Sequence, residues 1–462
     1  MGGGENNIRM DAPRGDKQTG PRWWLWVAVV LLVLVTAAMV GKFLHHDYKD
    51  AEVWYEAGRR ALEGRSLAGL PHYRYPPTFA VLVAPLAALG FGPFFFVWYG
   101  VNVGLFGVSV WLTGEMVLPK RRRPHPLPPL RARRGGADDR GEDDRETRGE
   151  VPHASASRLS PSLAVPAALV AVYAIDTLFL GQTNILIMAL VYWAFVEEAR
   201  GRQWAAGLPL GAAIAIKVFP APLLLYFAFR LRWRVVAAAV LCGMFLLFVL
   251  PGAARGFERN FREMADWGNR VALPFVSRGQ AGDWGQHSLD FGNQSLTGVA
   301  GRLLMAVNAQ VAAREGPDIY VNVADLDAAQ VRRVVLAVSL ALGLVLVLAI
   351  GWRRPADGLR QSTEYALAVT VLLLTSALSW TYFFVMLLLP ATVAVELLGE
   401  RERMGRMSAG MLKAALLGVG AATVLLASQH ARALGCVFWA SLLVFAALAL
   451  AARRLRRQEG CE

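Results

Sequence analysis

Two acidic side chains near the start of the chain are the residues best suited to catalysis. Asp47 and Asp50 lie on a short polar stretch between the apolar run Trp23–Leu44 and a second apolar run that begins at Thr78. A carboxylate between two membrane segments lies at the bilayer surface, where it meets both water and lipid headgroups. The pattern therefore places a candidate general base where it could act on a lipid-linked substrate. In the simpler interpretation these acids cap the amphipathic helix that begins at Ala51.

A single cation in an apolar segment is the second candidate. Lys217 follows the apolar run Ala212–Ile216 and precedes Pro220 and Pro222. A charge inside the bilayer costs about 2.5–3.5 kcal/mol on insertion scales, so it needs a partner or a path to water. Proline ends the helix here, and broken helices beside cavities form many membrane binding sites. Lys217 is predicted to bind a phosphate; the alternative is that it reaches the headgroups from a helix end.

The composition predicts that these residues are positioned by membrane helices. Hydrophobic residues make up 55% of the 462 positions and the mean hydropathy is +0.39, which is too apolar for a soluble domain of this size. A run of about 20 apolar residues spans a bilayer as a helix, because that helix satisfies its own backbone groups. The prediction is an all-α, polytopic membrane protein with about 10–12 transmembrane helices. The predicted spans lie near Trp23–Leu44, Phe94–Leu118, Leu163–Leu180, Ile185–Val196, Val235–Leu250, Val331–Ile350, Ala366–Leu378, Tyr382–Leu397, Met411–Ala427 and Leu434–Ala452, with two shorter pieces at Phe79–Leu89 and Ala205–Ile216.

The charge pattern predicts the topology. The net charge of +13 comes largely from basic residues at span ends, as the positive-inside rule requires, so anionic lipids rather than nucleic acid are the expected partners. Short amphipathic helices are expected in the outer loops. Loop 119–160, rich in Pro, Arg and acids, is predicted to be disordered, and its side of the membrane stays open. The predicted organisation is a cytoplasmic tail 1–22, a single transmembrane domain 23–454 with outer loop 45–77 and outer segment 252–330, and a cytoplasmic tail 455–462.

Few other sequence features point to chemistry. The three cysteines have neither metal-site spacing nor a disulfide pattern, and no Gly-rich turn suited to a nucleotide is present, so no metal and no cofactor are predicted. Gln182 and Asn184 lie in a polar turn that is expected on the same face as Asp50. Asn293 and Gln294 begin a polar stretch that fits the start of a surface helix. Gln182 and Asn184 could instead only satisfy the backbone of their turn. Asn293-Gln294-Ser295 also fits the glycosylation acceptor pattern, which is very common.

Taken together, these motifs resemble glycosyltransferase family 87, the membrane-embedded GT-C-type enzymes. The resemblance covers about residues 45–390 and depends on the order of several short motifs. These are Asp50-x-x-Val53-Trp54-Tyr55-x-Ala57, Tyr75-Pro76-Pro77 with Pro85-Leu86, Gly181-Gln182-x-Asn184, Gly207-x-x-x-Gly211 to Lys217-x-x-Pro220, Asn293-Gln294-Ser295 and Ser379-Trp380.

The resemblance implies a hexosyltransferase that uses a polyprenyl-phosphate-linked sugar. The expected reaction transfers a hexose, with mannose as the first expectation, to a lipid or glycan hydroxyl on the outer face of the cell membrane, with inversion at the anomeric carbon. It implies that Asp50 is the general base, with Asp47 as the alternative. The expected substrate-binding residues are Lys217, Tyr75, Gln182, Asn184, Asn293, Gln294, Trp380 and Tyr382.

The chain departs from the family pattern at one place. Many members carry histidines shortly after the Ser-Trp pair, whereas this sequence continues Thr381-Tyr382-Phe383-Phe384. Tyr382 or a residue elsewhere would then replace those histidines. Alternatively, the substrate differs or activity is lost. A transporter or flippase of lipid-linked or small-molecule substrates and a non-catalytic assembly protein are the other classes considered, although a transporter would favour matching broken helices in two repeats.

The charge pattern predicts that Asp47, Asp50, Gln182, Asn184 and Asn293 all face the side opposite the two chain termini. In a variant without its native cysteines, a membrane-impermeant maleimide added outside intact cells should label Asp50→Cys. It should label Gly15→Cys only after the cells are opened. Labelling of both positions from the same side would contradict this topology.

Overall fold

The structure is a computed structural model. It describes residues 23–45, 50–118, 161–273, 287–310, 317–355 and 357–459. Asp47, the tail 1–22 and loop 119–160 lie outside the described residues, so what the sequence predicts for them stays a prediction.

The described residues are helical almost throughout, which confirms the predicted all-α class. They form no β-strand; one isolated antiparallel bridge joins Asn293 and Trp380. The α-helices are α1 Trp23–Leu44, α2 Asp50–Leu62, α3 Pro77–Ala87, α4 Phe91–Val117, α5 Pro161–Leu180, α6 Asn184–Ala199, α7 Gln203–Ile216, α8 Leu223–Phe229, α9 Trp233–Met244, α10 Leu250–Arg255, α11 Phe257–Trp267, α12 Leu296–Leu304, α13 Ala328–Ile350, α14 Gly358–Thr375, α15 Leu388–Gly399, α16 Arg401–Leu425, α17 Gln429–Ala433 and α18 Cys436–Glu459. Two π-helical turns, Phe245–Val249 and Gly268–Ala272, and two 3₁₀ turns, His287–Leu289 and Thr381–Leu387, complete the helical segments.

The apolar helices confirm a polytopic membrane protein. Seven stretches of the described chain are long and apolar enough to cross a membrane by length and composition: Phe91–Val117, Ser162–Leu180, Trp233–Arg255, Ala328–Ile350, Thr381–Gly399, Glu402–Leu425 and Cys436–Glu459. The two pieces predicted to be short are helices of 11 and 14 residues, α3 and α7. At 1.5 Å per residue they rise roughly 16 and 21 Å, less than the hydrocarbon thickness of about 30 Å.

The chain divides into two compact units, Met1–Tyr48 and Lys49–Glu462. The first contains α1, a helix of 22 residues whose bounds match the predicted first span. The second contains α2 to α18 and all described candidate site residues. The prediction of a single domain over residues 23–454 stays a prediction.

Helix α6 forms the centre of the second unit. Its sequence is apolar on all sides, and such a helix is stable only when it is surrounded by other helices. It packs against α4, α5, α7, α14 and the 3₁₀ turn Thr381–Leu387. Ile185, Met188 and Tyr192 are buried along it. Both ends of α6 are therefore fixed by the packing of the whole unit.

Two glycines allow α7 to lie directly against α9. A Cβ added at Gly207 would lie 2.5 Å from the Val235 carbonyl oxygen, and one added at Gly211 would lie 2.4 Å from that of Ala239. Small residues spaced four apart let helix backbones approach closely in membranes, where dispersion contacts replace the hydrophobic effect between helices. This contact fixes α7, and with it Lys217 at the end of α7.

Buried ion pairs occupy the end of α6 remote from Asn184. Glu198 pairs with Arg232 at 2.5 Å and accepts a hydrogen bond from the Gln361 side chain at 2.8 Å. From Asn184 to Glu198 the helix rises roughly 21 Å. Arg360, one residue before Gln361, pairs with Glu459 at the carboxyl end of α18. Asn184 and the end of α18 thus lie at opposite ends of the helix bundle; which end faces outside stays a prediction.

Candidate active site

The turn between α5 and α6, residues 181–184, is the centre of the candidate site. The Gly181 backbone has φ +70, a left-handed conformation that glycine adopts without strain. A Cβ added at Gly181 would lie 3.0 Å from both the Cβ and the backbone nitrogen of Ala51. The Gly181 carbonyl accepts hydrogen bonds from the indole nitrogens of Trp54 and Trp98 at 2.8 and 2.9 Å. This carbonyl therefore ties α2 and α4 to the start of α6.

Asp50 lies against this turn. Helix α2 begins at Asp50, and the Gln182 side-chain amide donates a hydrogen bond to its carboxylate. Asp50 is half-buried, whereas Gln182 is buried. This hydrogen bond orients the carboxylate, which can accept a proton from a hydroxyl placed against it.

Lys217 lies against the other end of the same turn. It follows the last residue of α7 with an extended backbone, φ −146 and ψ 116. Its ammonium donates a hydrogen bond to Asn184 Oδ1 at 2.7 Å. The Lys217 Nζ atom lies 4.1 Å from the ring centroid of Phe383 and 5.9 Å from that of Tyr382. The ammonium is thus held by an amide and by aromatic faces, which attract cations.

Tyr75 closes the site between the acid and the cation. Its hydroxyl lies 2.7 Å from Thr183 Oγ1 and donates to Gln182 Oε1 at 3.5 Å. Burial raises the pKa of the Tyr75 hydroxyl above its usual range, so the group stays protonated and acts as a donor. The Lys217 Nζ atom lies 5.7 Å from the centroid of the Tyr75 ring. Asp50, Gln182, Asn184, Lys217 and Tyr75 therefore form one connected cluster.

The amino end of α6 has the features of an anion site. The first backbone N–H groups of any α-helix lack intrahelical partners, and Thr183 makes no side-chain capping hydrogen bond here. Among the described residues, Asn184 Nδ2 is a buried donor without a hydrogen-bond partner. The Lys217 ammonium is hydrogen-bonded to the other polar atom of that side chain, Asn184 Oδ1. Free N–H groups, an unpaired amide and a cation together suit a phosphate.

The 3₁₀ turn Thr381–Leu387 forms the opposite wall. The half-buried Tyr382 lies within electrostatic range of the carboxylates of both Asp50 and Asp176. Thr381 Oγ1 donates a hydrogen bond to Asp176 Oδ2 at 2.7 Å. Asp176 is not among the site residues predicted from the sequence, although a lone acid within an apolar span is itself a signal of a functional site.

The remaining predicted binding residues hold the loops around this wall. The buried Asn293 side chain donates to the carbonyls of Ser288 and Ala377 at 2.7 and 3.0 Å. Gln294 donates at 2.7 Å to two carbonyls, those of Phe291 and Arg432. The Trp380 ring lies against Gly292, where an added Cβ would be 2.6 Å from it. These contacts position the loop 290–295 beside Ser379, and a substrate contact by Asn293, Gln294 or Trp380 stays a prediction.

Metal ligation has no support in the part of the chain that the structure describes. No group of three or more His, Cys, Asp or Glu side chains there could hold a metal ion. The side chains of the cluster itself are a carboxylate, an ammonium, amides and a phenol.

The chain is similar to a known glycosyltransferase family and to a mycobacterial protein. The sequence profile of glycosyltransferase family 87 matches residues 73–377. An alpha-(1->3)-arabinofuranosyltransferase of Mycobacterium tuberculosis, strains CDC 1551 / Oshkosh and H37Rv, is 25% identical to the chain over 177 residues. This match covers 37% of the chain and 32% of the relative, so the chain spans about a third of the length of the curated relatives it matches. No solved structure matches the chain.

The turn yields a prediction about stability. Gly181→Ala should lower the thermal unfolding midpoint of the detergent-purified protein more than Gly201→Ala, a matched control at the other end of α6. Both glycines have positive φ, but a Cβ meets Ala51 only at position 181, and the space around Gly201 is open. The left-handed backbone costs each variant roughly 1–2 kcal/mol, and overpacking should destabilise Gly181→Ala by about 1–3 kcal/mol more. Equal shifts would contradict the role assigned to this close approach.

Proposed function

The chain belongs to glycosyltransferase family 87, and from that premise we propose that it transfers a sugar from a polyprenyl-phosphate donor to a hydroxyl of a lipid or glycan acceptor, with Asp50 as general base. The observation that carries this proposal is the joint placement of an acid and a cation by one turn. Gln182 and Asn184 are two residues apart in this turn. Gln182 is hydrogen-bonded to Asp50, and Asn184 is hydrogen-bonded to Lys217. A base and a phosphate-binding cation are the two groups that this transfer requires.

The proposed reaction is a single displacement. The Asp50 carboxylate takes the proton of the acceptor hydroxyl as the hydroxyl oxygen attacks the anomeric carbon. The new glycosidic bond forms while the bond from that carbon to the phosphate oxygen breaks. The bonding electron pair leaves with polyprenyl phosphate, and the anomeric configuration inverts. General-base catalysis of this kind contributes about 10²–10⁴-fold.

The leaving phosphate is assigned to the amino end of α6. Negative charge grows on the bridging oxygen as its bond to the sugar breaks, and donors fixed in advance stabilise that charge most strongly. Lys217, the unpaired Asn184 Nδ2 and the first N–H groups of α6 supply such donors. Since the donor has one phosphate, its charge can be met by these groups alone.

The sugar is proposed to be a hexose, with mannose first. Arabinofuranose is the second candidate, because the matched mycobacterial relative is named an arabinofuranosyltransferase. Purified protein should be given polyprenyl-phosphate-mannose and polyprenyl-phosphate-arabinofuranose, each with a radiolabelled sugar, and a membrane lipid extract as acceptor. Transfer of either sugar supports glycosyl transfer and identifies the donor. Absence of transfer from both donors, in protein that is folded by thermal unfolding, would contradict the proposed function.

The active site is proposed to face the outside of the cell membrane. Asp50 and Asn184 lie at the end of α6 opposite the last residues of α18, and the arginines there, Arg453 to Arg457, favour the cytoplasm. A polyprenyl-phosphate sugar presented at the outer leaflet would then reach the cluster directly from the bilayer.

Asp50→Asn should lower sugar transfer at least about 10²-fold, because the amide cannot accept the hydroxyl proton. Expression and the unfolding midpoint should stay near those of the parent, since a neutral side chain still bonds to Gln182. Glu52→Gln removes an exposed acid of the same helix and should transfer sugar normally. Near-parental activity in Asp50→Asn together with its loss in Asp47→Asn would move the base to Asp47.

Lys217→Ala and Lys217→Arg should both lower turnover strongly, with expression unchanged. The wide planar guanidinium does not fit a site shaped around an ammonium by Asn184 and the Phe383 ring. Lys413→Ala, at an exposed position of α16, is the matched control and should have parental turnover. If Lys217→Arg were fully active and Lys217→Ala only mildly impaired, the lysine would serve merely to reach the headgroups.

A further inference from the structure

Asp176 is an acid within an otherwise uncharged helix. It is the one charged residue in the sequence of α5, and it lies five residues before the Gly181 turn. An acid within a membrane span is costly to insert, and acids that persist there face cavities or substrate paths. Asp176 is half-buried, so its environment is not that of a fully enclosed ion pair.

The packing places Asp176 beside the candidate site. Thr381 Oγ1 donates to its carboxylate at 2.7 Å, and Thr177 Oγ1 donates at 3.3 Å to the carbonyl of Tyr382. Helix α5 is thereby joined to the turn that carries Tyr382. The phenol of Tyr382 lies within electrostatic range of Asp176 on α5 and of Asp50 on α2. Two acids from different helices therefore share one aromatic neighbour.

The positions of Lys217 and the Tyr382 ring suggest how a donor would be oriented in the site. The Lys217 Nζ atom lies 5.9 Å from the Tyr382 ring centroid. A donor whose phosphate pairs with Lys217 would lay its sugar across Tyr382, between Asp50 and Asp176. Sugars are bound by aromatic faces against their C–H groups and by carboxylates that accept from their hydroxyls, and hydrogen bonds to an ionised acceptor are the stronger kind.

We propose that Asp176 is a specificity-determining residue that accepts hydrogen bonds from hydroxyls of the donor sugar, while Asp50 acts on the acceptor. This inference rests on the proposed function. A carboxylate that bonds a particular hydroxyl discriminates against a sugar that lacks this hydroxyl, because the charge-assisted hydrogen bond is then not formed. Asp176 would distinguish donor sugars by the stereochemistry of their hydroxyls, and Lys217 would bind the phosphate of the donor.

Binding of two ligands tests this division. The probes are polyprenyl-phosphate-mannose (or the arabinofuranose donor, if that is the one used) and polyprenyl phosphate without a sugar, each titrated into detergent-purified protein. Asp176→Asn should weaken binding of the sugar-bearing ligand at least about tenfold, the share of one hydrogen bond to an ion, and leave sugarless binding unchanged. Lys217→Ala should weaken both ligands. Because the Asn oxygen still accepts from Thr381, Asp176→Asn should keep its fold; Asp176→Ser is a second variant.

Thr381→Val is the matched control. It removes the hydroxyl that donates to Asp176 and leaves the carboxylate in place. If Asp176 binds the donor sugar, this variant should keep the parental ratio of the affinities for the sugar-bearing and the sugarless ligand. If Thr381→Val reproduced the effect of Asp176→Asn, Asp176 would merely anchor the 3₁₀ turn. An unchanged ratio in Asp176→Asn and Asp176→Ser would also overturn the inference, with the proposed function intact. A parent that binds and transfers neither sugar would overturn both.

Discussion

The site depends on one short turn whose backbone two tryptophans and a glycine hold in place. Trp54 and Trp98 donate to the same carbonyl, that of Gly181, which lies too close to Ala51 for a side chain. A carbonyl away from water must be hydrogen-bonded, so these indoles both satisfy the backbone and fix α2 and α4 relative to α6. The side chains of the turn then orient the acid and the cation. Disturbing this backbone would move both the Asp50 carboxylate and the Lys217 ammonium.

Helix α6 is packed in the centre of the bundle, and this packing fixes the turn at its amino end. Its remote end is fixed by buried charges: Glu198 pairs with Arg232, and Arg230 pairs with Glu364 at 2.5 Å. Arg230 and Arg360 also donate to carbonyls at the carboxyl end of α13, those of Gly351 and Ile350, at 2.7 and 3.1 Å. Cations suit a helix carboxyl end because its last carbonyls lack intrahelical donors. Paired charges of this kind are costly to break singly, so they hold α6, α13 and α14 in one arrangement.

The chemistry proposed for the site follows from where polar groups are tolerated in a membrane protein. The bundle interior is apolar, and irregular backbone at its end is stable only when protein or a water-filled cavity surrounds it. The turn 181–184, the extended Lys217 and the 3₁₀ turn after Trp380 are three such irregular segments, and they meet. Lipid-linked substrates combine an apolar chain with a charged phosphate and a polar sugar. This end of the bundle presents an ammonium, amides, phenols and carboxylates beside apolar helix surfaces. It therefore offers suitable contacts to the apolar chain, the phosphate and the sugar.

Sequence alone determined the class of the protein and singled out most residues of the cluster as candidates, because both signals are local in the chain. Apolar runs predicted the spans, and polar residues at breaks between runs pointed to Asp50, Gln182, Asn184 and Lys217, since a membrane protein keeps few such groups without a reason. Tertiary structure decided the rest. Asp176 looks like any lone acid until Thr381, 205 residues away in the chain, is packed against it. Likewise, Asn293 and Gln294 are polar residues of a loop in the sequence, but in the folded protein their side chains form hydrogen bonds with backbone groups. The periodicity of the sequence shows which face of a helix is apolar. The distant side chain that donates a hydrogen bond to a carboxylate is decided only by the packing of the helices.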